Sequence, residues 1–332
     1  MSERMTTTSS VASSSRLFLR PGADELPLDS ARLFGREAPL VVEIGFGNGW
    51  FLEYLGESYP QFNVLGVELS VSSTGRAYKR LLRHRLPNVI MYRGDGRFLM
   101  RDALPDRSVS RIYVNFPDPW PRRKHRDRRL LQSDFFDLAA TKLQRDGSLV
   151  LTTDHPEYFD FARGQARNSG AFREEITNPD AALLQTRYAK KWLKQQKDIF
   201  HVRFHRVDDR PAQPPVVTLL SQELLMQHAL MTGDLSGITD FEKHVHLLDW
   251  GQIVMRDMYR SSDGSRLVFT VLVEEPGLKQ DILIEAEPRP NGVFVGIQKF
   301  GSPLVTHGLG EAVRLVTEWL AERGLTVVKT WY

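Results

Sequence analysis

Five short apolar stretches that alternate with helical patterns constrain the fold of this chain more than any other feature. Each is rich in β-branched or aromatic residues, as expected of buried strands. They lie at residues 40–44, 63–67, 88–92, 111–115 and 147–153. Strands that alternate with helices in this way form a mostly parallel sheet with helices packed on its faces. We therefore predict a doubly wound α/β domain.

An acidic residue lies in or shortly after each of these five stretches. The five acidic residues are Glu43, Glu68, Asp95, Asp118 and Asp154. Taken singly, each is most simply a helix cap or a turn former. The carboxyl ends of parallel strands meet at one edge of a sheet, however, and open α/β sheets bind their ligands at that edge. The set therefore predicts one ligand-binding crevice lined with carboxylates.

A glycine-rich turn, residues 45–49, follows the first strand and precedes a helical segment. Gly45 and Gly47 would let the backbone approach a ligand closely. A dinucleotide fingerprint needs a third glycine where Trp50 stands, so the turn argues against a pyrophosphate. The spacing and the acidic residue before it suit S-adenosylmethionine, whose sulfonium and ammonium groups are cationic. In this arrangement Glu68 binds the ribose hydroxyls and Asp95 faces the adenine amine.

The fourth strand runs into a proline-rich loop that carries Asp118. Proline cannot continue a sheet and holds the residue before it in an extended conformation. Six Lys or Arg residues follow among residues 122–129. Alone, this segment is most simply a turn with a solvated charge run. Its place at the ligand-binding edge indicates instead a rigid carboxylate beside a surface dense enough in positive charge to neutralise several phosphates.

Composition limits the chemistry. The chain has no cysteine, which excludes disulfides and the cysteine nucleophile that pyrimidine C5 methylation usually requires. Residues 1–214 carry 34 Lys and Arg against 26 Asp and Glu, whereas residues 215–332 carry 10 against 15. The N-terminal part thus suits a polyanionic partner. We expect a cytoplasmic protein with no membrane segment, and we assign no metal, because His244 and His246 lack a third ligand.

Several of these segments resemble the bacterial tRNA (guanine-N7)-methyltransferase family. They are Glu43-Ile-Gly-Phe-Gly-Asn-Gly49, Gly66-Val-Glu68, Gly94-Asp95-Gly96, Thr152-Thr-Asp154, Thr186-Arg-Tyr188 and the run Asn115-Phe-Pro-Asp-Pro-Trp-Pro-Arg-Arg-Lys-His-Arg-Asp-Arg-Arg129. The last of these is highly specific, whereas many methyltransferases share the glycine turn. The resemblance covers roughly residues 38–206 and does not extend to the last third of the chain.

The resemblance implies transfer of a methyl group from S-adenosylmethionine to N7 of guanosine 46 in the variable loop of tRNA. Asp118 would be the catalytic residue. The cofactor would be bound by Glu43, Gly45, Gly47, Glu68, Asp95 and Asn115. The substrate would be contacted by Arg122, Asp154, Thr186 and Tyr188. From the basic run, we expect contacts to the RNA backbone from Arg123, Lys124, Arg126, Arg128 and Arg129.

This chain departs from the family at two positions. Arg122 stands where the family often has lysine, which keeps the charge but changes the donor geometry. Ala189 stands where the family has a glutamate. If that glutamate holds the guanine edge, either another group replaces it here, with Asp154 as our candidate, or guanine is bound more loosely.

The chemistry favours a ring nitrogen as the target. N7 of guanine already carries a lone pair on the major-groove edge, so no base is needed to deprotonate it. A carboxylate that holds the N1 and N2 donors would also stabilise the positive charge that grows on the ring. Two other functions stay open at this point: methylation of an exocyclic amine, because Asn115-Phe-Pro-Asp118 weakly resembles (Asn/Asp)-Pro-Pro-aromatic loops, and RNA binding without catalysis.

We predict four segments along the chain. A disordered or irregular lead-in, residues 1–37, precedes a Rossmann-like class I methyltransferase domain, residues 38–207. A linker at 208–215 leads to an α+β domain at 216–332. In the latter we expect a helix around Leu219–Met231, an antiparallel meander from 251 to 300, a helix at Gly310–Arg323 and a last strand at Leu325–Trp331. A monomer and a homodimer are both compatible with the sequence.

Overall fold

The computed structural model describes residues 17–19, 26–179, 183–185, 198–211, 215–217, 227–298 and 303–332. The chain forms two compact units. Described residues from Leu26 to Pro211 belong to the first unit, and those from Pro215 onward to the second, so the division falls within the predicted linker. No helix in the described ranges is long and apolar enough to cross a membrane.

The first unit is built on seven described strands. They are β1 (Leu40–Ile44), β2 (Asn63–Glu68), β3 (Val89–Arg93), β4 (Val109–Asn115), β5 (Leu143–Thr153), β6 (Phe172–Ile176) and β7 (Phe200–Arg206). The α-helices between and around them are α1 (Ser30–Phe34), α2 (Trp50–Ser58), α3 (Val71–His84), α4 (Gly96–Phe98), α5 (Ser133–Lys142) and α6 (Pro156–Ser169). A π-helical stretch, Leu99–Ala103, continues α4, and 3₁₀ turns form at Arg123–Arg128 and Leu183–Gln185.

The strand order in this sheet is β3-β2-β1-β4-β5-β7-β6. The first five pair in parallel, and β7 runs antiparallel to both β5 and β6. All five residues of β1 are buried, which accounts for an apolar sequence that only Glu43 interrupts. The five predicted strands and the α/β class are confirmed. Because the carboxyl ends of β1, β2, β3 and β4 lie along one edge, the residues that follow them can form one site.

The lead-in is not irregular throughout, and the prediction was wrong for α1. Asp29 caps this helix through Oδ1, which accepts hydrogen bonds from the backbone N–H groups of Ala31 at 2.9 Å and Arg32 at 3.2 Å. Gly35 ends it with a left-handed φ of 68°. A helix of five residues is too short to show a hydrophobic period, so only its caps were visible in the sequence.

The second unit contains a seven-stranded antiparallel sheet and one long helix in its described residues. The strands are β8 (His228–Thr232), β9 (His244–Leu248), β10 (Gly251–Arg260), β11 (Leu267–Glu275), β12 (Leu278–Arg289), β13 (Gly292–Ile297) and β14 (Thr326–Thr330), and the helix is α7 (His307–Ala321). The order is β14-β8-β13-β12-β11-β10-β9. Helix α7 buries Val313, Val316 and Leu320 in a core shared with Phe269 and Ile284 of the sheet. The predicted α+β architecture is confirmed.

The helix predicted around Leu219–Met231 is wrong at its C-terminal end, where β8 forms instead; residues 218–226 lie outside the described part. Ala229 and Met231 alternate into the core, as strand residues do. Strand β8 pairs with β13 on one side and with β14 on the other. Pairing on both sides, rather than local propensity, decides the conformation of this segment.

Candidate active site

A cavity of about 440 Å³ opens at the carboxyl edge of the parallel strands in the first unit. Eight of the predicted site residues line it: Glu43, Gly45, Gly47, Glu68, Asp95, Asn115, Asp118 and Arg128. The sequence did not single out the apolar part of the lining, which includes Phe46, Leu69 and Leu130. A mixed wall of acceptors and apolar side chains suits a ligand with both charged and aromatic parts.

The glycine turn brings backbone close to neighbouring elements. Gly49, at the N-cap of α2, has a left-handed φ of 73°. A Cβ at this position would lie 2.7 Å from the Cβ of Ala77 on α3. Only glycine fits there without displacing α3, so the turn allows α2 and α3 to pack closely beside the cavity.

Glu68 orders the two loops that border the cavity. Its Oε2 accepts a hydrogen bond from the Gly47 N–H at 2.9 Å, and its Oε1 accepts one from the Ser70 N–H at 2.8 Å. The same Ser70 caps α3, because its hydroxyl accepts a hydrogen bond from the Ser73 N–H at 3.3 Å. Glu68 therefore fixes the glycine turn against the start of α3, a structural task in addition to the predicted contact with ribose.

Glu43 and Asn115 form a buried acceptor pair. Asn115 Nδ2 donates to Glu43 Oε1 at 3.2 Å across the β1–β4 pair. Glu43 is only 2% exposed, and burial raises the pKa of its carboxyl to about 8. The hydrogen bond from Asn115 lowers this pKa, and the charge of Glu68 raises it further. Glu43 Oε2 and Asn115 Oδ1 have no hydrogen-bond partner among the described atoms. Two buried acceptors without donors indicate a place for a cationic, hydrogen-donating group.

Asp95 serves first as a helix cap. Its Oδ1 accepts hydrogen bonds from the backbone N–H groups of Arg97 at 2.7 Å and Phe98 at 3.0 Å. This is the simpler of the two interpretations that the sequence allowed for Asp95. Because Asp95 also lines the cavity, the cap holds its carboxylate where the predicted contact with an adenine amine can form.

Asp118 lies exposed on the loop after β4. Phe116 and Trp120, on either side of it, have left-handed φ values of 50° and 40°. Non-glycine residues rarely adopt this conformation, which costs free energy and persists where the surroundings enforce it. The loop begins with a hydrogen bond from the Phe116 N–H to the Thr152 carbonyl at 2.7 Å. Trp120 is partly buried, lines the cavity and packs under the guanidinium of Arg128, 5.2 Å from its ring centroid.

The basic run forms the 3₁₀ turn that follows this loop. Four predicted RNA contacts, at Arg123, Lys124, Arg126 and Arg128, are exposed, and so is Arg122. The prediction is wrong for Arg129, which is 1% exposed and donates to backbone carbonyls of the Asp118 loop. A guanidinium buried in this way cannot reach a phosphate in solvent.

The remaining predicted substrate contacts lie apart from the cavity or outside the described part of the chain. Asp154 follows β5 and is half-buried, and it is not among the described residues that line the cavity. Thr186, Tyr188 and Ala189 fall outside the described residues. Their predicted roles, and that of Asp154 in replacing a glutamate at position 189, stay predictions.

The residues present fit S-adenosylmethionine. The acceptor pair of Glu43 and Asn115 can receive an ammonium group, Glu68 and Asp95 line the same cavity, and the wall beside them is apolar. The parallel sheet, its glycine turn and these acceptors together are the arrangement expected of the class of S-adenosylmethionine-dependent methyltransferases.

Comparisons with known proteins identify the family within that class. A family described as a putative methyltransferase matches residues 37–202. A tRNA (guanine-N(7)-)-methyltransferase from Thermus thermophilus is 41% identical over 305 residues, covering 91% of this chain and 96% of that protein. Proteins of the same name from Deinococcus radiodurans and Thermotoga maritima are 36% and 31% identical, covering 95% and 90% of this chain and 100% and 94% of their own lengths. The chain belongs to the tRNA (guanine-N7)-methyltransferase family.

These alignments correct one expectation. The resemblance to the family was expected to stop near residue 206, yet the three relatives align over nine-tenths or more of the chain. The second unit is therefore shared with them. The motifs recognised in the sequence all lie in the first unit, which is why the likeness in the second unit was missed.

Proposed function

We propose that this protein transfers the methyl group of S-adenosylmethionine to N7 of a guanosine in tRNA, at position 46 in the variable loop. The relatives that align over nearly the whole chain support this reaction. The observation that carries it is the position of Asp118. This exposed carboxylate lines the same cavity as the buried acceptors Glu43 and Asn115, and an exposed basic run follows it in the chain.

The reaction needs little proton chemistry from the protein. When bound, the cofactor supplies a methyl group attached to a cationic sulfur. A bond forms between this carbon and the N7 lone pair while the carbon–sulfur bond breaks, and its electron pair stays on sulfur. N7 carries no proton, so no general base is required. Positioning and electrostatic stabilisation are the tasks left to the residues.

Asp118 performs the electrostatic task. Positive charge grows on the guanine ring as N7 is alkylated, and the N1–H and N2–H groups become better hydrogen-bond donors. A carboxylate that accepts from these groups binds the transition state more tightly than the ground state. The prolines on both sides of Asp118 limit its motion, so less free energy is spent on reorganising it during the reaction.

Glu43 and Asn115 orient the amino-acid end of the cofactor. Glu43 accepts a hydrogen bond from the ammonium through Oε2, and ionises as it does so, because a cation at this place favours the charged carboxylate. Asn115 Oδ1 supplies a second acceptor. Glu68 binds the ribose hydroxyls while it holds the glycine turn, and Asp95 receives the adenine amine.

The exposed basic run delivers the tRNA. Arg123, Lys124 and Arg126 lie within eight residues of Asp118 and are solvent-exposed. Each can neutralise a backbone phosphate and release a counterion, which makes binding salt-dependent. Action on tRNA also implies a cytoplasmic location.

Methylation of a tRNA transcript tests this function. The purified protein is incubated with S-adenosylmethionine labelled in its methyl group and with a transcript that carries G46, and the digested nucleosides are identified by mass and mobility. We expect 7-methylguanosine from this transcript and no product from a matched transcript with adenosine at position 46. Label in an exocyclic amine, or undiminished product from the altered transcript, would contradict the proposal. An absence of transfer together with tRNA binding would favour the non-catalytic function.

A further inference from the structure

Arg129 is the largest fully buried side chain of the described residues. Its Nε donates to the Pro119 carbonyl at 2.8 Å, and its Nη2 lies 3.4 Å from the Trp120 carbonyl and 3.3 Å from Glu157 Oε1. The guanidinium carbon is 4.7 Å from the ring centroid of Phe161. An arginine at the end of an exposed basic run thus points inward, into the loop that precedes it.

The two carbonyl groups that Arg129 binds belong to the residues directly after Asp118. Neither lies in a strand or a helix, so the loop has no regular hydrogen-bonding pattern to orient these peptide groups. Trp120 also holds a left-handed φ of 40°, which must be enforced from outside. A planar guanidinium can bind two adjacent carbonyls at once and fix the peptide between them, which a lysine ammonium does with much less directional control.

Glu157 connects this buried arginine to the surface. It lies in the first turn of α6, and its Oε1 accepts hydrogen bonds from both Arg129 and Arg126. Arg126 belongs to the exposed basic run. One carboxylate therefore joins the support of the Asp118 loop to the segment proposed to bind RNA.

Stability alone does not explain an arginine at this place. Its Nη1 is buried without a hydrogen-bond partner among the described atoms. Removing a charge from water is unfavourable, and a donor left unpaired adds to that cost, so an apolar side chain of similar volume would serve the core at least as well. The contacts that an apolar side chain could not make are those to Pro119, Trp120 and Glu157.

We propose that Arg129 is a positioning residue for the methyl transfer: it fixes the Pro119–Trp120 peptide and so holds Asp118 at the edge of the cofactor cavity. The proposal rests on the proposed function for the reaction that it serves. The positioning itself is a property of the free protein and can be measured without any substrate.

Two variants at Arg129 and two matched controls test the proposal. Arg129→Lys keeps a positive charge and Arg129→Met keeps an apolar stem. Arg163 provides the controls, Arg163→Lys and Arg163→Met. It lies on α6, binds Glu174 Oε2 through Nε at 2.8 Å and lies 5.2 Å from the ring centroid of Phe159, but among the described residues it donates to no loop carbonyl. The control pair thus removes a similar ion pair and aromatic contact without touching the Asp118 loop.

The first measurement is backbone ¹⁵N relaxation in the free protein, which reports how tightly each peptide group is held. We expect lower order parameters at Asp118 and Trp120 in Arg129→Lys, unchanged values in the glycine turn 45–49, and no change at either place in the Arg163 variants. Unaltered order parameters at Asp118 and Trp120 in Arg129→Lys would overturn the proposal. This result does not depend on which substrate the protein methylates.

The second measurement separates kcat from KM with the tRNA that the wild-type protein methylates. We expect kcat to fall by roughly 10- to 100-fold in both Arg129 variants, because a small displacement of a catalytic group has an effect of this order. The KM for tRNA and the affinity for S-adenosylmethionine should stay within about twofold, and the Arg163 controls should keep the wild-type kcat. Equal kcat in Arg129→Lys and wild type would contradict the positioning role. If Arg129→Met does not fold, the result for Arg129→Lys decides whether Arg129 is a positioning residue. A wild-type protein without transferase activity would refute the proposed function rather than this inference.

Discussion

Asn115 Nδ2 donates to Glu43 Oε1 at 3.2 Å, and the other polar atom of each side chain, Glu43 Oε2 and Asn115 Oδ1, is buried with no hydrogen-bond partner among the described residues. One hydrogen bond thus orients two acceptors that the described part of the protein leaves unsatisfied. An unsatisfied buried polar group is costly and therefore informative. Here it identifies where a cationic group binds, and it makes Glu43 sensitive to that group.

Cofactor binding should release a proton below pH 8. Burial raises the pKa of Glu43 to about 8 in the free protein, so this carboxyl is mostly protonated at pH 7. An ammonium group beside it favours the ionised form, and the proton leaves on binding. Titration calorimetry at pH 7, in buffers with different ionisation enthalpies, should show release approaching one proton in the wild-type protein. Glu43→Gln should show none of this release and bind more weakly. Equal proton release by both proteins would count against this role of Glu43.

The stability of the free protein should depend on pH through the same residue. The pKa of Glu43 is about 8 when folded and near its ordinary value of 4.5 when unfolded, so the folded protein binds one more proton between these values. The free energy of unfolding should therefore fall as pH rises from 4.5 to 8, by up to about 1.4 kcal/mol per unit from this group. Urea unfolding of wild type and Glu43→Gln across this range isolates the effect. The variant should lose less stability than the wild type as pH rises, and parallel curves would show that Glu43 is not the cause.

The exposed basic run should determine the salt dependence of tRNA binding. Replacing both Arg123 and Lys124 with alanine should lower the slope of log affinity against log salt by roughly 0.7–0.9 per lost phosphate contact. Arg145→Ala is the matched control. Arg145 is an exposed arginine near the N-terminal end of β5, whereas the Asp118 loop is hydrogen-bonded to Thr152 near the C-terminal end of this strand. Filter binding from low to moderate salt measures the slopes. A slope unchanged by the double substitution, or lowered equally by Arg145→Ala, would indicate that the tRNA docks elsewhere.

The sequence predicted those parts of the fold that local patterns determine. Strands β1 and β4 were found because each contains a short run rich in β-branched or aromatic residues, and the acidic residues near the strand ends meet because the strands are parallel. Asp118 and Glu43 were thus placed in one site without coordinates. The lining of the cavity by Leu69 and Leu130 was not predicted, because isolated apolar residues in loops carry no periodic signal.

Other features depend on tertiary contacts that no local pattern shows. The six Lys and Arg residues among residues 122–129 look alike in sequence, and only the 3₁₀ turn decides that Arg129 points inward while Arg128 faces the cavity. The sequence also did not indicate that Glu157 binds Arg126 and Arg129. An acidic residue in the first turn of a helix is common, because it interacts favourably with the helix dipole. In β8, only Ala229 and Met231 show the alternation of buried residues that indicates a strand. Two residues are too few to distinguish a strand from a helix in the sequence, and the pairing with β13 and β14 decides the conformation.

Asp118→Ala provides the most direct test of the central claim, that an exposed carboxylate at the edge of this cavity stabilises the methylated guanine in the transition state. Asp118 is exposed and lies on a loop held by other residues, so the variant should fold normally and bind S-adenosylmethionine as the wild type does. Single-turnover methyl transfer to a G46 transcript, with binding of both substrates measured in parallel, should show the chemical step slowed by about 100-fold or more. Methyl transfer by Asp118→Ala at a rate near that of the wild type would contradict the account.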